Sequence, residues 1–234
     1  MQVVSVEAAT EYESVSGGFA DTRGVSSHTI LSGGGGTWRL QWSAQERFGE
    51  GGVVFGVDHA RLLGRTWVAS ASAGSSTAGA YHARLRASAE LGRKWGSRQQ
   101  IVTTLGIGYH DARDVNHDVI LRAEAAYYTG PLVVQLGNRY TISSPGDARG
   151  TYVHAALTYS RPDARSISGR IGLGREAYLR VEPLAVEVAF RSWELGMTWT
   201  EPVRGRWHLT ARATLYHNPF YDRAGLSLGV LRRF

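Results

Sequence analysis

The 234-residue chain has no cysteine. A disulfide framework and any Cys-ligated metal site are therefore excluded. Lysine is nearly missing as well: Lys94 stands alone, and arginine supplies the rest of the 26 basic residues. With 20 acidic residues the formal charge is +6. The charges are scattered without a basic cluster, so no nucleic-acid partner is expected. No run approaches the ~18 apolar residues of a membrane helix. Helical periodicity is equally hard to find. Proline is scarce at 6 residues, whereas 29 glycines punctuate the chain at short intervals.

What is present is alternation. Segments of about ten residues with period two recur from end to end, separated by Gly, Asp, Asn, Ser and Pro clusters. Val4, Val6, Ala8, Thr10 and Tyr12 oppose Glu7, Glu11 and Glu13. Trp38, Leu40, Trp42 and Ala44 oppose Arg39, Gln41, Ser43, Gln45 and Arg47. The cleanest case runs from Tyr81 to Leu91, with His82, Arg84, Arg86, Ser88 and Glu90 on the other parity. Segments near Val25–Gly33 and Val53–Val57 are weaker, and the stretch from about Arg175 to Arg191 reads as irregular.

Segments of this length match the ~9–11 residues of a tilted membrane strand. Alternation of lipid-facing and lumen-facing residues also explains why no long apolar run is needed. The expected fold is all-β: an antiparallel up-and-down transmembrane β-barrel of about 14 strands, with 12 as the alternative. Residues 1–234 form its single domain. An even strand count puts both termini on one side, the periplasmic side in bacterial barrels.

Aromatic placement supports this reading. On the apolar parity, Trp38, Trp67, Tyr127, Trp199, Trp207 and Phe234 fall at periplasmic strand ends. Tyr12, Phe48, Tyr81, Tyr109, Tyr140, Tyr152 and Trp193 fall at extracellular ends. Two such girdles mark the two membrane interfaces. A soluble sandwich would bury its aromatics in mid-strand. The opposite parity then lines a lumen with Arg39, Arg47, Arg84, Arg86, Arg122, Arg139, Arg170 and Arg212. Glu7, Glu11, Glu13, Asp58, Glu90, Glu124, Glu176 and Glu194 share it, and Tyr128, Tyr178 and Tyr216 offer stacking faces. The near balance of sign implies cross-strand ion pairs.

The last strand, Leu226 to Phe234, alternates cleanly and ends in an aromatic residue. It resembles the closing strand of bacterial outer-membrane barrels, which implies recognition by the barrel-insertion machinery. Arg232 departs from that pattern by taking a slot that is usually aromatic. Further segments carry a narrower resemblance. They are Gly172-Leu173-Gly174-Arg175-Glu176, Arg191-Ser192-Trp193-Glu194-Leu195-Gly196, and Tyr221-Asp222-Arg223-Ala224-Gly225-Leu226-Ser227-Leu228-Gly229. These look like the G-R-E, S-x-x-L-G and Y-x-R-x-G-x-x-L-G segments of the YaiO-type outer-membrane β-barrel family. The resemblance implies an outer-membrane location among outer-membrane lipids. It also implies periplasmic or polysaccharide-export partners, since members often follow helical TPR repeats and accompany polysaccharide machinery. This chain carries no TPR part. Met1-Gln2-Val3 leads straight into a strand, so no signal peptide is expected in this form.

Candidate chemistry is sparse. A lipid-modifying barrel enzyme would need a nucleophile near an outward histidine. His154 is the candidate on the outward parity, with Asn138 and Tyr140 beside it, but His154-Ala155-Ala156 lacks the serine. An interfacial histidine within the girdle is the simpler reading. His59, His82, His110, His117, His208 and His217 show no metal-ligand spacing. Gly33 to Gly36 lacks the Lys-Ser/Thr of a phosphate loop. No cofactor, metal or enzymatic activity is expected. The first functional expectation is a passive channel for polar solutes, or a part of polysaccharide export, with Arg84 and Arg86 setting selectivity. The second is a structural barrel anchoring an envelope complex. A lipid-modifying enzyme is the third.

Overall fold

The computed structural model describes residues 1–47, 49–77, 83–112, 116–162, 165–180 and 186–234, and side chains except those of 177–180 and 186–188. Fourteen strands follow one another without a helix among the described residues. They are β1 (Gln2–Val15), β2 (Thr22–Gly33), β3 (Gly36–Arg47), β4 (Glu50–Leu63), β5 (Trp67–Ser76), β6 (Leu85–Trp95) and β7 (Ile101–Asp111). Then come β8 (His117–Thr129), β9 (Leu132–Ser144), β10 (Ala148–Ser160), β11 (Ser166–Arg180), β12 (Val186–Arg204), β13 (Trp207–His217) and β14 (Asp222–Arg233). Each pairs antiparallel with its chain neighbours, and β1 pairs with β14, closing the barrel.

Closure runs from Ser5 opposite Arg233 to Val15 opposite Arg223. A backbone that closes on itself leaves no strand edge unpaired, as a lipid environment demands. The turns near the termini are tight. Between β2 and β3, Gly34 and Gly35 both have positive φ, 62° and 77°. Only glycine adopts that pair of angles readily in a two-residue hairpin.

The stretch expected to be irregular is strand on both sides. β11 continues through Arg180 and β12 begins at Val186, with unbroken register from Ser166–Thr200 to Arg180–Val186. Ladder hydrogen bonding holds this hairpin even where the side-chain alternation fades.

The barrel is inverted relative to a soluble fold. Its large apolar side chains face outward, Leu105, Leu136, Leu173 and Leu228 among them. An exposed apolar surface of this extent marks contact with another phase, here the hydrocarbon of a membrane. Inside, no large side chain is fully buried among the described residues. A 14-strand barrel without a packed core is hollow.

Candidate functional site: the inner wall

Strand register decides which residues reach the bore. Arg39 opposes Asp58 across β3 and β4, and Arg86 opposes His110 across β6 and β7. Arg122 opposes Arg139 across β8 and β9. Arg139 in turn opposes Tyr152, and Gly137 opposes His154, across β9 and β10. Arg47, Arg170, Arg212, Glu90, Glu124 and Glu194 share this inward parity. A cavity of about 720 Å³ runs from Arg86 and His110 on one wall to Arg212 and Arg223 on the other.

The wall is laced by polar contacts. Arg212 Nη2 donates to Glu7 Oε1 at 2.6 Å, and Thr210 Oγ1 donates to the same oxygen at 2.8 Å. Arg122 Nη1 lies 3.2 Å from Glu90 Oε1, and Arg223 Nη1 lies 3.4 Å from Glu13 Oε2. Other carboxylates take neutral donors: Glu11 from Gln45 at 2.7 Å, Glu124 from Gln135 at 3.1 Å, and Asp118 from Ser143 at 2.6 Å. Glu176 accepts from Ser192 at 2.5 Å and Tyr216 at 2.9 Å. A charge held by hydrogen bonds on a wet wall keeps a fixed position.

One sector differs. The Arg139 guanidinium lies 5.0 Å from the Tyr152 ring centroid, and that of Arg170 lies 5.8 Å from it. Neither arginine has a carboxylate partner among the described residues. Tyr152 is 7% exposed, and its hydroxyl has no partner there either. The ring rests against bare backbone: a Cβ at Gly172 would meet Tyr152 Oη at 1.7 Å, and one at Gly174 would meet Cδ2 at 2.9 Å. His154 lies likewise over Gly137, whose Cβ would meet the imidazole Cε1 at 2.3 Å. A smaller cavity of about 290 Å³ is bounded by Arg122, Arg139, Arg170, Tyr152, His154 and Glu90.

Tyr152 and His154 thus correct the sequence expectation, which put both on the lipid face. Val153, Leu157 and Tyr159 occupy the outward parity of β10 instead, opposite Leu173, Gly169 and Ile167. Turning the more apolar set to lipid places Tyr152, His154, Ala156 and Thr158 inside. The inward turn also removes His154 from any lipid-facing reaction. Arg84 is displaced too. It precedes β6 and pairs with Asp111 at the rim, rather than lining the wall.

Trp38, Trp67, Tyr127, Trp199, Trp207 and Phe234 lie outward at the end bearing the termini, joined by Trp95 and Tyr159. Tyr12, Tyr109, Tyr140 and Trp193 lie outward at the opposite end. Phe48, Tyr81 and His82 lie outside the described residues, as does the Tyr178 side chain. Arg232 also faces out, 5.2 Å from the Trp207 ring and 4.7 Å from Phe234.

Two inner-wall features escaped the sequence reading. Arg223 shares the inward parity of Ser227 and Gly229, a signal that was available, and its guanidinium lies 4.5 Å from the Tyr216 ring. Asn218 carries no periodic signal. Its Oδ1 accepts from the Phe220 and Tyr221 amides at 2.8 and 2.9 Å. That turn seats Phe220 against Phe190, with ring centroids 5.3 Å apart at the mouth. Outside the strands, Asp21 is held below the usual carboxylate range by a hydrogen bond from the Tyr12 hydroxyl, then by one from the Val15 amide. Among the described residues no cluster of histidine and carboxylate side chains suits a metal ion.

A hollow closed barrel with an apolar exterior, aromatic girdles and a charged bore defines an outer-membrane β-barrel. More narrowly, the chain belongs to the YaiO membrane β-barrel domain family, whose profile matches residues 4–179. That match covers the N-terminal three-quarters. Most of it lies outside the C-terminal segments that carry the resemblance in sequence, with only Gly172 to Glu176 in common. No curated protein matches the chain. Among solved structures, the Acinetobacter baumannii outer-membrane protein Omp33 is 12% identical, with a TM-score of 0.60 and 99% of each chain covered. The COG4313 outer-membrane channel from Pseudomonas putida F1 is 10% identical, with a TM-score of 0.59, covering 100% of this chain and 97% of that one. A bacterial polysaccharide outer-membrane secretin is 9% identical, with a TM-score of 0.56, covering 100% and 99%. At these identities the likeness is one of fold.

Proposed function

We propose that the protein is a passive outer-membrane channel for polar solutes. The observation that carries this reading is the hollow, charged bore, in which a cavity of about 720 Å³ spans opposite walls. Water-filled passages lined by fixed charges of both signs admit hydrophilic solutes and exclude apolar ones. The Arg139–Tyr152–Arg170 sector supplies the recognition element. Two guanidinium groups 5.0 and 5.8 Å from one ring, without carboxylate partners among the described residues, offer N–H donors to the hydroxyl and carboxylate groups of a saccharide. A place in polysaccharide export is the narrower form of the same reading.

Orientation follows the usual rule, with termini periplasmic and the Phe190–Phe220 mouth extracellular. Reconstitution in planar bilayers tests the channel directly. Stepwise ionic conductance, with block by an added saccharide acid, is the expected result; a folded barrel without conductance overturns the reading. A second reading, a closed barrel anchoring an envelope complex, is favoured by the cross-strand pairs Arg212–Glu7 and Arg122–Glu90. It predicts no conductance and co-purifying periplasmic partners.

A further inference from the structure

At the end opposite the termini, one outward sector carries arginines that no described residue compensates. Across β9 to β12, Tyr140, Thr151, Arg175 and Arg191 form one outward row. Arg149, two residues from Thr151 on β10, shares the outward parity and opposes Ile142. Arg175 and Arg191 are direct register partners, so their Cα atoms stand roughly 4.5–5.5 Å apart. Like charges placed directly opposite destabilise a sheet.

The next row toward the membrane centre is Asn138, Val153, Leu173 and Trp193, and the one beyond is Leu136, Ala155, Ile171 and Leu195. The arginines therefore sit where apolar wall gives way to the aqueous rim, above an aromatic girdle residue. That is the depth of lipid headgroups.

Elsewhere on this rim, the described outward arginines Arg23 and Arg84 are matched, as is His217. Arg23 donates to Glu46 at 2.9 and 2.7 Å, Arg84 pairs with Asp111, and His217 lies 2.5 Å from Asp222. Arg149, Arg175 and Arg191 have no hydrogen-bond or ion-pair partner among the described residues.

We propose that Arg149, Arg175 and Arg191 form a binding site for the phosphate of a phosphorylated glycolipid in the leaflet at this end. Its acyl chains lie along Val153, Leu173, Ile171 and Leu195. The phosphate oxygens accept from guanidinium edges of β10, β11 and β12, and the anion relieves the Arg175–Arg191 opposition. Thr151 and Tyr140 add hydroxyl donors to the sugar or phosphate. The site stands on the outer face and does not rest on the channel reading.

The test is native mass spectrometry of detergent-folded protein mixed with diphosphoryl lipid A or with its dephosphorylated form. Wild-type protein is expected to retain the phosphorylated form about tenfold better, and Arg175→Gln with Arg191→Gln to abolish that preference. Arg23→Gln, at a paired rim position, is expected to retain it. Heat-modifiable gel mobility checks that each variant is folded, and Arg175→Lys with Arg191→Lys supplies a charge-conserving second variant that keeps part of the preference. Equal retention of both lipid forms by wild-type protein overturns the proposal. Displacement of the lipid by millimolar inorganic phosphate also overturns it, by marking a site for the free anion.

Discussion

Arg212 and Glu7 are 205 residues apart in sequence and 2.6 Å apart in space. Arg212 stands on β13 and Glu7 on β1, so the pair reaches over the closing strand β14. The path is clear because β14 presents Ser227 and Gly229 there; a Cβ at Gly229 would meet Thr210 Oγ1 at 2.7 Å. Both neighbours of the last strand are thus tied across it. Glu7→Gln is expected to lower barrel stability by about 1–2 kcal/mol, the range for a half-buried charged hydrogen bond. Urea unfolding in detergent micelles, read by gel mobility, measures it. A double-mutant cycle with Arg212→Gln isolates the pair, and additivity of the two changes would refute the link.

Arg86 and Arg84 are two residues apart but have different surroundings. Arg86 lies on the cavity wall, whereas Arg84 pairs with Asp111 at the rim. In bilayer recordings under a salt gradient, Arg86→Ala is expected to shift the reversal potential toward cations. Arg84→Ala is expected to leave it close to wild type. Equal shifts for both would mean that Arg84 also faces the permeation path.

Tyr152 tests the glycine floor. Gly172→Ala would place a methyl group 1.7 Å from the tyrosine Oη, so the ring must leave the wall and enter the bore. Single-channel conductance is expected to fall. Adding Tyr152→Ala should restore or exceed the wild-type value, because the obstructing ring is then gone. No change on Gly172→Ala would show that the ring has another resting place.

Asp21 gives an acid-side prediction. Its carboxyl is depressed in the folded protein by the donors from Tyr12 and Val15. The sign follows from linkage: the contribution is present above the unfolded carboxylate value of about 3.9 and is lost as pH falls through the lower folded value. Limited proteolysis of the β1–β2 loop should accelerate in strongly acidic buffer. Asp21→Asn should show the fast cleavage already at neutral pH.

Phe234 offers a test of how the barrel is assembled. Its amide donates to the Val4 carbonyl at 3.0 Å, and Arg232 packs beside its ring. If insertion machinery reads this end, deleting Phe234 should slow assembly in cells while refolding into detergent proceeds. Equal loss in both settings would assign the residue to barrel stability alone.

The barrel was legible in the sequence because lipid and water impose opposite demands on alternate residues. Leu226, Leu228 and Val230 against Ser227 and Gly229 show that demand plainly. β10 was misread because Tyr152 and Tyr159 put an aromatic on each parity, and only Val153 and Leu157 decide between them. Arg84 was misplaced because alternation does not reveal where a strand begins. The Arg139–Tyr152–Arg170 sector was invisible because it depends on register across three strands and on Gly172 and Gly174 lying beneath the ring. Composition cannot show such a juxtaposition.

The β1–β14 register has a temporal consequence. The first strand made waits for the last before its backbone is satisfied on both sides. Until then, a growing sheet carries two ladders of open N–H and C=O groups, each able to template a foreign strand. Loop closure over almost the whole chain is the slowest contact to form. An unfinished copy is therefore an aggregation hazard, and safe transit to the membrane depends on keeping those edges occupied or apart until Ser5 meets Arg233.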